Sequence, residues 1–164
     1  MLVNSTYGGQ IRFQSLRTNK YVCAIGTPDR KLPSTSNFAF LDKCELDQRS
    51  LFRLQISPDG SSGYWILQDA NPCPDYAENC HYALESVGYK LQFWNQNLAA
   101  DRYGWEKELG DQELFSFEAS NPSEGIFRIK ARKGGYVLVD PNTARLQSRG
   151  SREQAAEFKM LFEP

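Results

Sequence analysis

The sequence predicts an all-β protein whose strands close on themselves in three similar units. Three observations support this: short runs alternate apolar and polar residues, the spacing between them recurs, and no long stretch has helical periodicity. The chain has 164 residues, of which 40% are hydrophobic and 24% charged. That composition suits one sizeable core and is unlike a disordered chain, so we expect a single domain over residues 1–164.

The first two strands of each unit are marked by alternation and by a tyrosine. Residues 11–15 and 127–131 alternate apolar and other side chains over five positions, as a half-buried strand does, and residues 65–69 align with them. The second strand of each unit then begins at a tyrosine, which follows turn-forming residues in the first and third units. These tyrosines are Tyr21, Tyr82 and Tyr136.

The third and fourth strands give the repeat a numerical basis. The interval from Phe40 to Phe52 is 12 residues, and the interval from Leu146 to Phe158 is again 12. The middle unit carries about ten extra residues near positions 98–108, between its strands, where loops tolerate added length.

Three units of four strands indicate a β-trefoil, in which six strands form a barrel and three hairpins cap one end. The predicted units cover approximately residues 10–57, 63–120 and 125–163. The alternative is a β-sandwich, which would not require threefold recurrence.

The last unit resembles the fascin-like pattern, in which a "G-x-Y…D…L-x-A/S…E-x-F" string recurs. The matching residues are Gly135-Tyr136-Val137-Leu138-Val139-Asp140, then Ala144-Arg145-Leu146-Gln147-Ser148, then Glu157-Phe158. This resemblance implies a trefoil that binds a protein such as actin.

The first and middle units resemble ricin-type lectin modules. In those modules a cysteine of the second strand pairs with one just after the third strand, and "v-q-l-w" fills the third strand. Cys23 and Cys44 occupy nearly those positions, and Leu91-Gln92-Phe93-Trp94 is similar to that third strand. The resemblance implies carbohydrate binding. The lectin "Q-x-W" signature is absent, and phenylalanines stand in place of its tryptophan: Phe52, Phe115 and Phe158.

The four cysteines form an even set that allows three pairings. The repeat frame favours disulfides Cys23–Cys44 and Cys73–Cys80, because each pair then flanks an insertion within one unit. We therefore expect a secreted protein, and four reduced cysteines in a cytoplasmic protein are the alternative.

Charge and composition disfavour several classes of function. The net charge of −1 argues against a dedicated nucleic-acid binder. The charge is unevenly distributed: residues 1–56 and residues 126–164 each carry a net charge of +4, and residues 57–125 carry −9. The sequence has no run of about 18 apolar residues, so we expect no membrane span. With His81 as the single histidine and no nucleophile or metal motif, we expect no catalytic residues, no metal and no cofactor.

The middle unit offers the best candidate for a sugar site. A sugar site needs an aromatic face for stacking and polar groups for the hydroxyls. Glu85 stands where lectin modules of this type carry a sugar-binding Asp, and Trp94 could stack on the sugar. Asn95 and Asn97 would bridge further hydroxyls. We therefore predict a non-enzymatic recognition module whose partner is a glycan or glycoprotein.

The alternative is a protein-binding trefoil, of the actin-binding, receptor-binding or protease-inhibitor kind. The long loop of the middle unit holds Arg102, Tyr103 and Trp105, a composition typical of interface hot spots.

The third unit could instead use a basic face, which would suit actin or a sulfated glycan. Arg128, Lys130 and Arg132 alternate with apolar residues along one predicted strand. Further basic residues follow in the same unit: Lys133, Arg145, Arg149 and Arg152.

Overall fold

The computed structural model describes residues 10–25, 36–41, 50–56, 63–69, 80–97 and 110–163. Antiparallel strands dominate these residues, with two short 3-10 turns at Asp111–Glu113 and Pro122–Glu124. In chain order the strands are β1 (Gln10–Ser15), β2 (Val22–Ile25), β3 (Ser36–Leu41), β4 (Phe52–Ile56), β5 (Tyr64–Asp69), β6 (Cys80–Val87), β7 (Lys90–Asn97), β8 (Leu114–Asn121), β9 (Ile126–Ala131), β10 (Tyr136–Val139), β11 (Leu146–Gly150) and β12 (Glu157–Glu163).

Six of the strands close into a barrel. β1 pairs with β4, β4 with β5, β5 with β8, β8 with β9, β9 with β12, and β12 returns to β1. The remaining strands form the three hairpins β2–β3, β6–β7 and β10–β11. Closure leaves the barrel without an exposed edge. The predicted β-trefoil is confirmed.

The threefold repeat is visible in the register of the strands. In each unit, the aligned tyrosine lies within two residues of the start of the second strand and pairs with the fourth residue of the aligned first-strand segment. The three pairs are Gln14–Tyr21, Gln68–Tyr82 and Lys130–Tyr136.

Phenylalanines from the barrel strands are among the largest side chains of the core. Phe52, Phe115 and Phe158, which the sequence aligns with one another, are all fully buried, and so is Phe13. The rings of Phe13 and Phe52 lie 5.8 Å apart between centroids in a tilted arrangement. Fully burying one such side chain stabilises a fold by about 1.5–3 kcal/mol, so these rings account for much of the core.

The middle hairpin joins the other two units. β7 pairs with β3 of the first unit and, at Lys90–Gln147, with β11 of the third. The second pairing brings the tip of the β6–β7 hairpin beside the third unit. This arrangement positions the candidate site.

The disulfides stay a prediction. Cys23 is fully buried in β2, and Cys80 is the first residue of β6. Their predicted partners, Cys44 and Cys73, lie outside the described residues. Within the part of the chain that the structure describes, no helix is long and apolar enough to cross a membrane.

Candidate functional site

The predicted sugar-binding residues all lie on the β6–β7 hairpin, but they do not share one face of it. Glu85 pairs with Gln92 and Trp94 with Ala83, so Glu85 and Trp94 occupy alternate positions on the same face. Asn95 and Asn97 pair with Tyr82 and Cys80 and therefore belong to the opposite face.

Burial further limits this arrangement. Glu85 is 3% exposed, because its strand is covered on the face it shares with Ala83, which is fully buried. A buried carboxylate cannot reach the hydroxyls of a sugar in solution. Binding by Glu85, Trp94, Asn95 and Asn97 therefore stays a prediction, and it would require the hairpin to expose Glu85.

The predicted protein-binding loop holds the residues of the alternative interface. Arg102, Tyr103 and Trp105 lie outside the described residues.

The basic face of β9 forms as the alternation predicts, but its cations contact other residues of the protein. The intervening residues Ile129 and Ala131 are buried. Arg128 Nη1 lies 3.4 Å from Glu118 Oε1, and Arg132 Nη1 lies 3.7 Å from Asp111 Oδ1. The third cation of the face is placed over an aromatic ring: Lys130 Nζ is 5.6 Å from the ring centroid of Tyr136.

Glu118 is the centre of the network beside this face. Its Oε2 accepts a 2.6 Å hydrogen bond from the Tyr136 hydroxyl, and its Oε1 accepts one of 2.6 Å from Arg152 Nε. These two bonds, the one from Tyr136 first, hold the pKa of the Glu118 carboxyl below its usual value. Arg128 and Arg152 thus share one carboxylate, which reduces the positive charge that the third unit presents to a partner.

An open pocket of about 590 Å³ lies where the tip of the β6–β7 hairpin meets the third unit. We call it the Tyr89 pocket. Its described lining residues come from the tip itself, from the turn between β9 and β10, and from β11: Gly88, Tyr89, Lys133, Gly134, Gly135 and Arg149.

The hairpin tip presents an aromatic ring on an unfavourable backbone. β6 and β7 are joined by the two residues Gly88 and Tyr89, with φ values of 57° and 67°. Positive φ at both positions is the signature of a type I′ turn. A tyrosine in the left-handed region costs roughly 1–2 kcal/mol, and a glycine there would cost little. The ring nevertheless stands 57% exposed at the rim of the pocket.

The opposite wall is a glycine turn that packs directly against β11. Gly135 N donates a 2.5 Å hydrogen bond to Ser148 O. A Cβ atom on Gly135 would lie only 2.5 Å from Gly150 O, and one on Gly134 only 2.8 Å from Ser148 O. The chain needs glycine at both positions because of this close approach, which fixes Lys133 at the edge of the pocket.

Hydrogen bonds between the units hold the two walls together. The hydroxyls of Ser86 and Ser148, both buried, are 2.6 Å apart, and Ser86 Oγ also donates to Lys133 O at 3.3 Å. Ser148 N donates to Tyr89 O at 2.9 Å. The pocket is therefore largely preformed and need not be ordered by a ligand.

Arg149 is the second cation of the lining. It lies on β11 and is exposed, and its Nε donates a 2.5 Å hydrogen bond to Gln147 Oε1. This bond orients the guanidinium. The pocket thus combines one exposed ring with two cations.

Sequence reasoning missed Tyr89 and recognised Lys133 and Arg149 only as basic residues of the third unit. A signal for Tyr89 does exist. A Gly-Tyr pair between two alternating runs indicates a two-residue hairpin turn, and a bulky residue is unusual there.

Comparison with known proteins supports the fold. No protein-family model matches the chain, and no curated protein matches it. Among solved structures, SeviL bound to the asialo-GM1 saccharide superposes with a TM-score of 0.58 at 13% identity, covering 94% of this chain and 98% of that one.

Two further solved structures give the same result. The designed threefold-symmetric protein ThreeFoil has a TM-score of 0.61 at 10% identity, covering 93% of this chain and 97% of its own. The BEL β-trefoil has a TM-score of 0.55 at 13% identity, covering 97% of this chain and 100% of its own. At these identities the likeness shows a shared β-trefoil fold.

Proposed function

We propose that this protein is a carbohydrate-recognition module that binds a glycan or glycoprotein at the Tyr89 pocket. The observation that carries the proposal is the exposed Tyr89 ring, held in a left-handed conformation at the rim of an open pocket. A protein tolerates local strain of this kind where a function depends on it. The saccharide bound by SeviL, a protein of the same fold, supports the choice of ligand class.

The pocket offers the contacts that a sugar needs. The Tyr89 ring stacks on the apolar C–H face of a sugar ring, and the cations Lys133 and Arg149 donate hydrogen bonds to its oxygens. The turn at Gly134 and Gly135 forms the wall opposite the ring. A single open pocket of this kind binds at about the millimolar level, or roughly 4 kcal/mol, so tight binding requires several copies.

The same lining favours binding over catalysis. Its described residues include neither a carboxylate nor a histidine that could act as a general acid or base. We therefore propose that the module acts without turning over its ligand.

We also propose that the protein is secreted, with disulfides Cys23–Cys44 and Cys73–Cys80. The repeat frame of the sequence supports both. Mass measurement after thiol alkylation without reduction should find that none of the four cysteines is alkylated, because all four are in disulfides. Peptide mapping should find only these two bridges. Four alkylated thiols would reject the disulfides and remove the support for secretion.

A glycan array with matched variants tests the proposed function. Tyr89→Ala should lose at least about tenfold in saccharide binding because the stacking surface is removed. Phe162→Ala is the matched control: Phe162 is also an exposed aromatic residue, 43% exposed, but lies on barrel strand β12. It should bind as the wild type does.

A third variant separates the pocket from the site predicted on the hairpin. If Trp94→Ala abolishes binding and Tyr89→Ala does not, the glycan binds at the β6–β7 hairpin face and the Tyr89 pocket is the wrong site. Circular dichroism on each variant establishes that the fold is retained.

A further inference from the structure

The described residues of the Tyr89 pocket supply hydrogen-bond donors but no carboxylate. Lysine and arginine side chains only donate hydrogen bonds. A neutral sugar presents hydroxyls that both donate and accept, and a carboxylate acceptor suits them well. Among the lining residues that the structure describes, the tyrosine hydroxyl is the one side-chain acceptor.

Several backbone carbonyls of the lining are already engaged. Tyr89 O accepts from Ser148 N, Lys133 O from Ser86 Oγ, and Gly135 O from Ala131 N. These bonds hold the walls of the pocket together, which leaves a ligand fewer acceptors for its own hydroxyl protons.

The two cations of the pocket differ from three arginines of the third unit that form ion pairs within the protein. Arg128 and Arg152 form ion pairs with Glu118, and Arg132 forms one with Asp111. For Lys133 and Arg149 the described residues supply no such ion pair. Their positive charge is therefore available to a ligand.

The guanidinium of Arg149 is also oriented for an anion. Its Nε donates a hydrogen bond to Gln147 Oε1, which restrains the group, and the edge formed by its two terminal nitrogens is not used in that bond. A planar guanidinium binds the oxygens of a sulfate or carboxylate in a paired, charge-assisted geometry.

We infer that the ligand of the Tyr89 pocket is an acidic saccharide. It carries a sulfate or a carboxylate that binds Arg149 and Lys133 while a neighbouring sugar ring stacks on Tyr89. This inference rests on the proposed carbohydrate-binding function and specifies the class of sugar.

The test uses the full chain on an array of saccharide pairs that differ only in one sulfate or one carboxylate. The acidic member of a pair should bind about tenfold more tightly, because charge-assisted hydrogen bonds are stronger than neutral ones. This preference should shrink as NaCl rises from about 0.05 M to about 0.5 M, since salt screens exposed charges.

Charge variants identify the residues that carry the preference. Arg149→Gln and Lys133→Gln should each reduce the preference severalfold, and the double variant should bind both members of a pair equally. Lys159→Gln is the control: it removes one exposed positive charge from barrel strand β12 and should leave the preference for the acidic saccharide unchanged.

The results that overturn the inference differ from those that overturn the proposed function. If neutral and acidic members bind equally, with Tyr89→Ala abolishing both, the site binds sugar and the acidic specificity is wrong. If inorganic sulfate displaces the acidic saccharide at equal concentration, the pocket is an anion site and the saccharide does not contribute. If no saccharide binds, or binding survives Tyr89→Ala, both proposals fail.

Discussion

At position 89 the chain keeps a bulky residue where its backbone favours glycine. Gly88 has the same left-handed conformation, and a Cβ placed on it would meet nothing within 4 Å. Space is therefore not limiting at this tip, and the backbone conformation alone sets the preference. The exposed ring of Tyr89 gains little from burial, which agrees with the proposed contact between this ring and a ligand.

Tyr89→Gly should raise the free energy of unfolding by about 0.5–1 kcal/mol while abolishing saccharide binding. Glycine adopts positive φ without the steric cost, and its greater freedom in the unfolded chain cancels part of the gain. Urea denaturation measures the stability. Gly88→Ala is the control in the opposite direction: it places a side chain at a positive φ and should lower the free energy of unfolding by about 1 kcal/mol. A destabilised Tyr89→Gly variant would show that the ring supports the fold.

Glu118 gives a prediction that depends on pH. Its folded-state pKa is lowered by hydrogen bonds from Tyr136 and Arg152. A lowered pKa stabilises the fold above the unfolded-state value, and this contribution is lost as the pH falls through the folded-state value. The wild type should therefore lose stability on acidification through and below the usual glutamate range.

Glu118→Gln should lack this part of the pH dependence, because the amide does not titrate. Urea denaturation from neutral pH into the acid range compares the two chains. Glu124→Gln is the control, because it removes an exposed carboxylate of the 3-10 turn after β8. Its stability should follow the wild-type dependence on pH more closely than that of Glu118→Gln does. If the free energy of unfolding changes with pH in the same way for the wild type and Glu118→Gln, the hydrogen bonds to Glu118 do not contribute to the stability of the fold.

Among the elements, the turn between β9 and β10 determines the shape of the pocket. It approaches the backbone of β11 so closely that no side chain fits at Gly135. The strands on either side follow from alternation, and the aligned segments 11–15 and 127–131 lie in β1 and β9, the first strands of their units.

Gly135→Ala should destabilise the protein by about 1–3 kcal/mol, the usual cost of forcing extra atoms into a packed site. It should also weaken saccharide binding, since the turn must move away from β11. Gly110→Ala is the matched control, because a Cβ at Gly110 would meet nothing within 4 Å. Equal unfolding midpoints for the two variants would show that the close approach does not constrain the turn.

The site was harder to predict than the strands because it is built by contacts between distant residues. Lys90 and Gln147 pair across two units, and that pairing brings Tyr89 beside Lys133. Nothing local to either segment encodes it. The prediction for Glu85 rests on the resemblance to lectin modules, and the sequence does not reveal that its strand is buried there.

For the whole molecule, the closed barrel serves as a rigid support for loops and hairpin tips that differ between units. The three buried phenylalanines repeat, whereas the Tyr89 pocket combines an aromatic residue of the acidic middle unit with cations of the basic third unit. Binding groups from two units are thus combined at one place on the surface.

The most direct test of this account is nuclear magnetic resonance mapping of the protein during titration with the best saccharide from the array. The account predicts that backbone and side-chain shifts change most at Tyr89, Lys133, Gly134 and Arg149. Changes centred on Trp94 and Asn95, or on the Arg128 strand, with the Tyr89 pocket unaffected, would contradict it.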